Sequence, residues 1–80
     1  MKKKGVSKAV QAVFASLLSE TRGKRFDPTK RQTEYRGWDS FVHMQLAAKI
    51  EEACNVELSM KEIIQADSAA LFVEIVTKKL

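Results

Sequence analysis

Asp39, Ser40 and His43 put a carboxylate, a hydroxyl and an imidazole within five consecutive positions, and two kinds of chemistry use those groups. One is hydrolysis, in which acid, base and nucleophile form a relay. The other is covalent attachment of an anion to a serine at a helix start, where unpaired backbone N–H groups and the positive end of the helix dipole favour negative charge by roughly 0.3–1 kcal/mol. Hydrolysis fails on the sequence. Near-adjacent positions on one small helix do not set Asp, His and Ser in the required relay, there is no G-x-S-x-G elbow, and no oxyanion hole is evident. Attachment competes with plain capping, because Asp39 or Ser40 can close a helix N-terminus. His43, three residues after Ser40, is expected to be exposed beside any phosphate carried there, with a charge that depends on pH near neutrality.

Four helices are expected to hold that stretch. Val6, Val10, Val13, Phe14, Leu17 and Leu18 fall on one helical stripe from about Val6 to Leu18, with Ser7 as N-cap and Gly23 as stop. From about Thr21 to Trp38 no period is kept. Gly23, Asp27-Pro28 and Gly37 are turn formers and Lys24, Arg25, Lys30, Arg31 and Arg36 read as solvated, so a long loop follows, pinned to the core by Phe26 and Tyr35. A loop of that length in a compact domain is functional or conceals an element. Val42, Leu46, Ile50 and Ala53, with Ala47 and Cys54, make helix two, which ends at Cys54 or Asn55, the latter in a left-handed conformation, before Val56 and Leu58 tuck inward. Ser59 and Glu62 form an S-x-x-E box that starts a short helix carrying Met60, Ile63 and Ile64. Asp67 or Ser68 caps the last helix, whose stripe is Leu71, Phe72, Ile75 and Val76, with Lys78 and Lys79 near its end. The fold class is all-α: a small four-helix bundle of three long helices and one short third helix, with a long loop between helices one and two.

The 80 residues suffice for one domain, 1–80, with 1–5 expected as a frayed basic N-terminus. Such a domain buries only roughly 60% of the surface of its unfolded chain. Its apolar residues therefore go into a single core, and a module acted on by other proteins fits better than an enzyme with its own deep pocket. The single cysteine, Cys54, excludes an intramolecular disulfide and a multi-cysteine zinc site, reads as a small core residue, and fits a reducing cytoplasm. Lys8 and Gln11 interrupt any apolar run after Lys2, Lys3 and Lys4, and no stretch approaches the ~20 apolar residues of a membrane span, so neither export nor membrane insertion is expected. The net charge of +4 is unevenly placed. Residues 1–36 hold ten Lys and Arg against three acids, a balance of +7, and residues 37–80 hold four Lys against seven acids, a balance of −3.

The run Gly37-Trp38-Asp39-Ser40-Phe41-Val42-His43-Met44-Gln45-Leu46, followed by Ile50-Glu51-Glu52 and Val56-Glu57-Leu58-Ser59, resembles the central part of the acyl carrier proteins. The likeness is at motif level over about residues 37–80, while helix one and its loop agree in order and length. It implies that Ser40 carries 4′-phosphopantetheine through a phosphodiester and that Asp39 is the motif acid read by the modifying transferase. Phe41 stands where the family usually has Leu and is expected to seat helix two and to offer contact to partner enzymes. Trp38 is similar to a branch of discrete carriers with a Trp-Asp-Ser motif. A phosphopantetheinyl transferase would move the group from coenzyme A to Ser40. The arm's thiol would then hold acyl, aminoacyl or peptidyl groups as thioesters, exchanged with a loading enzyme and a downstream synthase or transferase. In this reading the protein catalyses nothing and raises the effective concentration of a tethered substrate. Partner docking falls to Trp38, Phe41, Val42, His43, Met44 and Met60, with gap-filling in the core an equal alternative for the two methionines. Family members typically present an acidic second helix, whereas here the acids of helix two after Asp39 are Glu51 and Glu52, late in the helix.

The expectation is a monomeric, cytoplasmic, free-standing carrier of the kind that serves fatty-acid, polyketide and nonribosomal-peptide synthesis. Two other readings stay open. A basic helical module would bind nucleic acid through Lys2, Lys3, Lys4, Lys24, Arg25, Lys30, Arg31 and Arg36 with a steep salt dependence, although these residues lie in a tail and a loop without a legible recognition helix. A carrier-fold interaction protein without a prosthetic group is the other.

Overall fold

Three of the four helices begin on side-chain caps, Asp39, Ser59 and Ser68, that are legible within a few residues of their start. In a computed structural model, which describes residues 2–21 and 26–80, the helices are α1 (Lys3–Leu17), α2 (Ser40–Cys54), α3 (Met60–Gln65) and α4 (Ala69–Lys79). This is the expected all-α bundle with a short third helix. Ser59 and Glu62 start α3 with reciprocal bonds, Glu62 N–H to Ser59 Oγ at 3.1 Å and Ser59 N–H to Glu62 Oε1 at 2.8 Å. Asn55 ends α2 in the left-handed region, φ 54° and ψ 49°. Ser68 rather than Asp67 caps α4, accepting the Leu71 N–H at 3.2 Å.

Two boundaries and one buried face differ from the sequence reading. α1 starts before Ser7, with Lys2 as an N-cap that makes no side-chain bond and the Val6 N–H donating to the Lys2 carbonyl at 3.0 Å. Residues 3–5 are helical rather than frayed because Val6, fully buried, anchors the turn. α1 stops at Leu17: Leu18 takes an extended backbone and drops its side chain into the core, and a 3₁₀ turn, Ser19–Thr21, follows. Gly23, the expected stop, lies outside the described residues, as do Lys24 and Arg25. On α4 the buried face is Ala69, Phe72, Val73 and Val76, spaced i, i+3, i+4, i+7, and Leu71 and Ile75 flank it half-buried.

Phe14 is the hub of the core. Its ring centroid lies 5.2 Å from Trp38, 5.9 Å from Phe26, 6.2 Å from Phe72 and 6.4 Å from Tyr35, so one side chain of α1 touches the long loop and α4 together. The loop is ordered by what it bonds to rather than by its own period. Gln32 N–H donates to the Asp67 carbonyl at 2.7 Å and Ala70 N–H to the Pro28 carbonyl at 2.8 Å. Arg31 Nε donates to Asp67 Oδ2 at 3.0 Å, and the Lys30 ammonium sits 4.5 Å from the Tyr35 ring centroid. Lys30 and Arg31, read as merely solvated, thus help fix the loop. It also contains an element the sequence concealed, the 3₁₀ turn Gln32–Glu34, closed by the Arg31 N–H on Glu34 Oε2 at 2.7 Å. Among the described residues no helix is long and apolar enough to cross a membrane.

Candidate functional site

Asp39 decides the setting of Ser40. It is the N-cap of α2 in extended conformation, φ −97° and ψ −174°; its Oδ1 accepts the Val42 N–H at 2.8 Å and its carbonyl accepts the His43 N–H at 2.9 Å. Ser40, the other candidate cap, is thereby left free. It is the first residue of α2 and exposed, and its hydroxyl makes no hydrogen bond among the described residues. The N–H groups of Ser40 and Phe41 lack partners inside the helix by position, so the hydroxyl stands at the positive end of the α2 dipole.

His43 does not stand beside it. Expected to be exposed, it is 9% exposed, and both ring nitrogens are taken. Trp38 Nε1–H donates to its Nδ1 at 2.9 Å, and its Nε2 lies 2.6 Å from the Ile63 carbonyl oxygen. An indole N–H only donates and a carbonyl only accepts, so the network assigns the neutral Nε2–H tautomer. No ring nitrogen is left for Ser40, and the Asp39 carboxylate is turned to Val42, so the Asp-His-Ser relay is not assembled. Trp38, expected at the docking surface, is 4% exposed, packed edge-on to Phe14 and Tyr35. Both corrections have one cause: the indole and the imidazole satisfy each other, which allows two polar-tipped rings into the core.

Phe41 is 71% exposed and does not seat α2; Val42, half-buried against the core, does. Met44 and Met60 are exposed, which decides between surface and core filling. Ile64, 69% exposed, joins them. The sequence reading grouped it with Ile63, but a six-residue helix buries only one of two adjacent isoleucines, here Ile63; the available signal was its i, i+4 spacing from Met60. Two acids of α2 and α3, Glu51 and Glu62, serve the fold. Glu51 accepts the Leu58 N–H at 2.7 Å. Glu62 pairs with Lys79 Nζ at 2.9 Å, and the Ser59 backbone N–H, then Lys79, hold its carboxyl below the usual glutamate range.

Behind the loop, Glu20 accepts the Gly37 N–H at 2.6 Å. The backbone N–H groups of Arg36 and then Gly37 hold its carboxyl below the usual range. It fixes the segment entering Trp38, and no sequence signal marks it, since its partners are backbone groups about 17 positions away. Compared with family models, characterised proteins and solved structures, the chain matches none.

Proposed function

We propose that the protein is an acyl carrier modified on Ser40 with 4′-phosphopantetheine. The observation that carries the reading is the capture of the Val42 N–H by Asp39, which leaves Ser40 exposed on the first turn of α2 with a hydroxyl that bonds to none of the described residues. These residues fit the group. Phosphodiester formation needs a hydroxyl within reach of an external transferase, and the charge it creates is favoured at a helix N-terminus. Once attached, the group supplies a thiol on a long tether for acyl, aminoacyl or peptidyl cargo. The chain's own residues supply positioning and recognition. Trp38 and Glu20 fix the segment before Ser40, while Phe41, Met44, Met60 and Ile64 offer apolar side chains of α2 and α3 to partners. Those partners are a phosphopantetheinyl transferase, a loading enzyme and a downstream synthase or transferase, met by a monomer in the cytoplasm.

Co-expression with a broad-specificity phosphopantetheinyl transferase, followed by intact-mass measurement, tests this. The expected outcome is one phosphopantetheinyl increment on the wild type and none on Ser40→Ala. An unmodified wild type, or modification that persists in Ser40→Ala, overturns it.

A further inference from the structure

We infer that His43 is a proton-sensitive latch on the segment that presents Ser40: the neutral ring holds Trp38 in place and the imidazolium releases it. The inference rests on buried hydrogen bonds and holds whatever Ser40 carries.

The two bonds of His43 respond oppositely to a proton. Its Nδ1 lone pair accepts the Trp38 Nε1–H at 2.9 Å. A proton taken from solvent onto Nδ1 removes that acceptor and sets two donors against each other in a site with 9% exposure. The Nε2–H keeps its acceptor, the Ile63 carbonyl at 2.6 Å, and that bond strengthens when the donor carries charge. Ile63 lies in the last turn of α3, where carbonyls lack full helical partners and favour a cation. Proton binding therefore leaves His43 tied to α3 and breaks its tie to Trp38.

The rings around His43 are Trp38 at 5.6 Å and Phe72 at 5.8 Å, and Tyr35 lies 5.4 Å from Trp38. Four carboxylates on the surrounding elements are engaged elsewhere. Asp39 is on the Val42 N–H, Glu62 on Ser59 and Lys79, Asp67 on Arg31, and Glu74 on Lys78. Lys61 and Arg36 are exposed. Among the described residues no carboxylate bonds the ring. Trp38 is separated from Ser40 by Asp39 alone, so its release loosens the cap that sets the Ser40 hydroxyl at the helix start.

Trp38 is the single tryptophan of the chain, which makes it the reporter. Its emission maximum and its accessibility to acrylamide are followed on the full chain from about pH 8 to pH 5, with far-ultraviolet circular dichroism alongside. Emission maximum is read rather than intensity, because a cationic imidazole quenches a neighbouring indole without moving it. The expected result is a red shift and a severalfold rise in quenching with helix content unchanged, and neither change in His43→Gln, whose amide does not titrate. A wild-type emission maximum independent of pH overturns the inference. So does a shift that accompanies loss of helix, or one that persists in His43→Gln. Should that variant fail to fold, nuclear magnetic resonance of the wild type decides: the Trp38 indole N–H must titrate together with the His43 ring, and a ring that titrates without moving it overturns the latch.

Discussion

Glu20 illustrates how one side chain can serve the candidate site from a distance. Its carboxylate takes the backbone N–H groups of Arg36 and Gly37, and these hold its folded titration below the ordinary glutamate value of 4.5. A lowered carboxylate stabilises the fold fully above its unfolded value, and that contribution is lost as the pH falls through the lowered folded value. Glu20→Gln, which keeps an acceptor and removes the charge, is expected to have a smaller urea midpoint than wild type at about pH 6. The gap between the two proteins should be smaller at about pH 3, because proton uptake by the wild-type carboxyl as the pH falls removes the charge by which they differ. Urea titrations of both proteins at the two pH values check this. Asp27 and Glu62, also lowered by their bonds, are common to both, so the difference isolates Glu20.

At the scale of elements, the turn from α2 into α3 depends on a single left-handed residue. Asn55 sits at φ 54°, a conformation that costs most L-residues roughly 1–2 kcal/mol and a β-branched residue at least as much. Beyond it, the Val56 N–H reaches the Glu51 carbonyl at 3.1 Å and the Leu58 N–H reaches the Glu51 carboxylate at 2.7 Å, closing the connection. Asn55→Val is expected to lower stability by about 1–2 kcal/mol, and Asn55→Gly to leave it within about 0.5 kcal/mol, since glycine enters this region without a Cβ penalty. Thermal unfolding of the two variants beside wild type measures the difference. Equal losses in both would mean that the Asn side chain, not the backbone angle, carries the effect.

For the whole molecule, stability is concentrated in one aromatic cluster and spared at the exposed face. Phe14 contacts four other rings, so Phe14→Ala removes a side chain that the loop, α1 and α4 share. The expected cost is about 3–5 kcal/mol, a large part of the roughly 4–12 kcal/mol that a domain of this length has in total. Phe41→Ala, at a side chain 71% exposed, is expected to change stability by under about 0.5 kcal/mol. Urea denaturation followed by circular dichroism ranks the two, and a comparable loss in both would contradict the burial that separates them.

Much of this architecture is legible without coordinates. The four helices, the Ser59–Glu62 box, the left-handed Asn55 and the core role of Cys54 are all readable from the chain, because helical period and capping operate within about four residues. Phe26 and Tyr35 were likewise legible as loop anchors from their apolar bulk in a charged stretch. Position 40 as a helix start followed from the same local rules, but the choice between Asp39 and Ser40 as the cap did not. Both side chains are competent acceptors, and only the folded backbone gave the bond to Asp39. The pairing of Trp38 with His43, the clamp of Glu20 on Gly37 and the tie of Arg31 to Asp67 were out of reach for a related reason. A buried or clamped polar group needs a partner, and which partner it meets depends on how segments far apart in the chain are packed, not on the residues beside it.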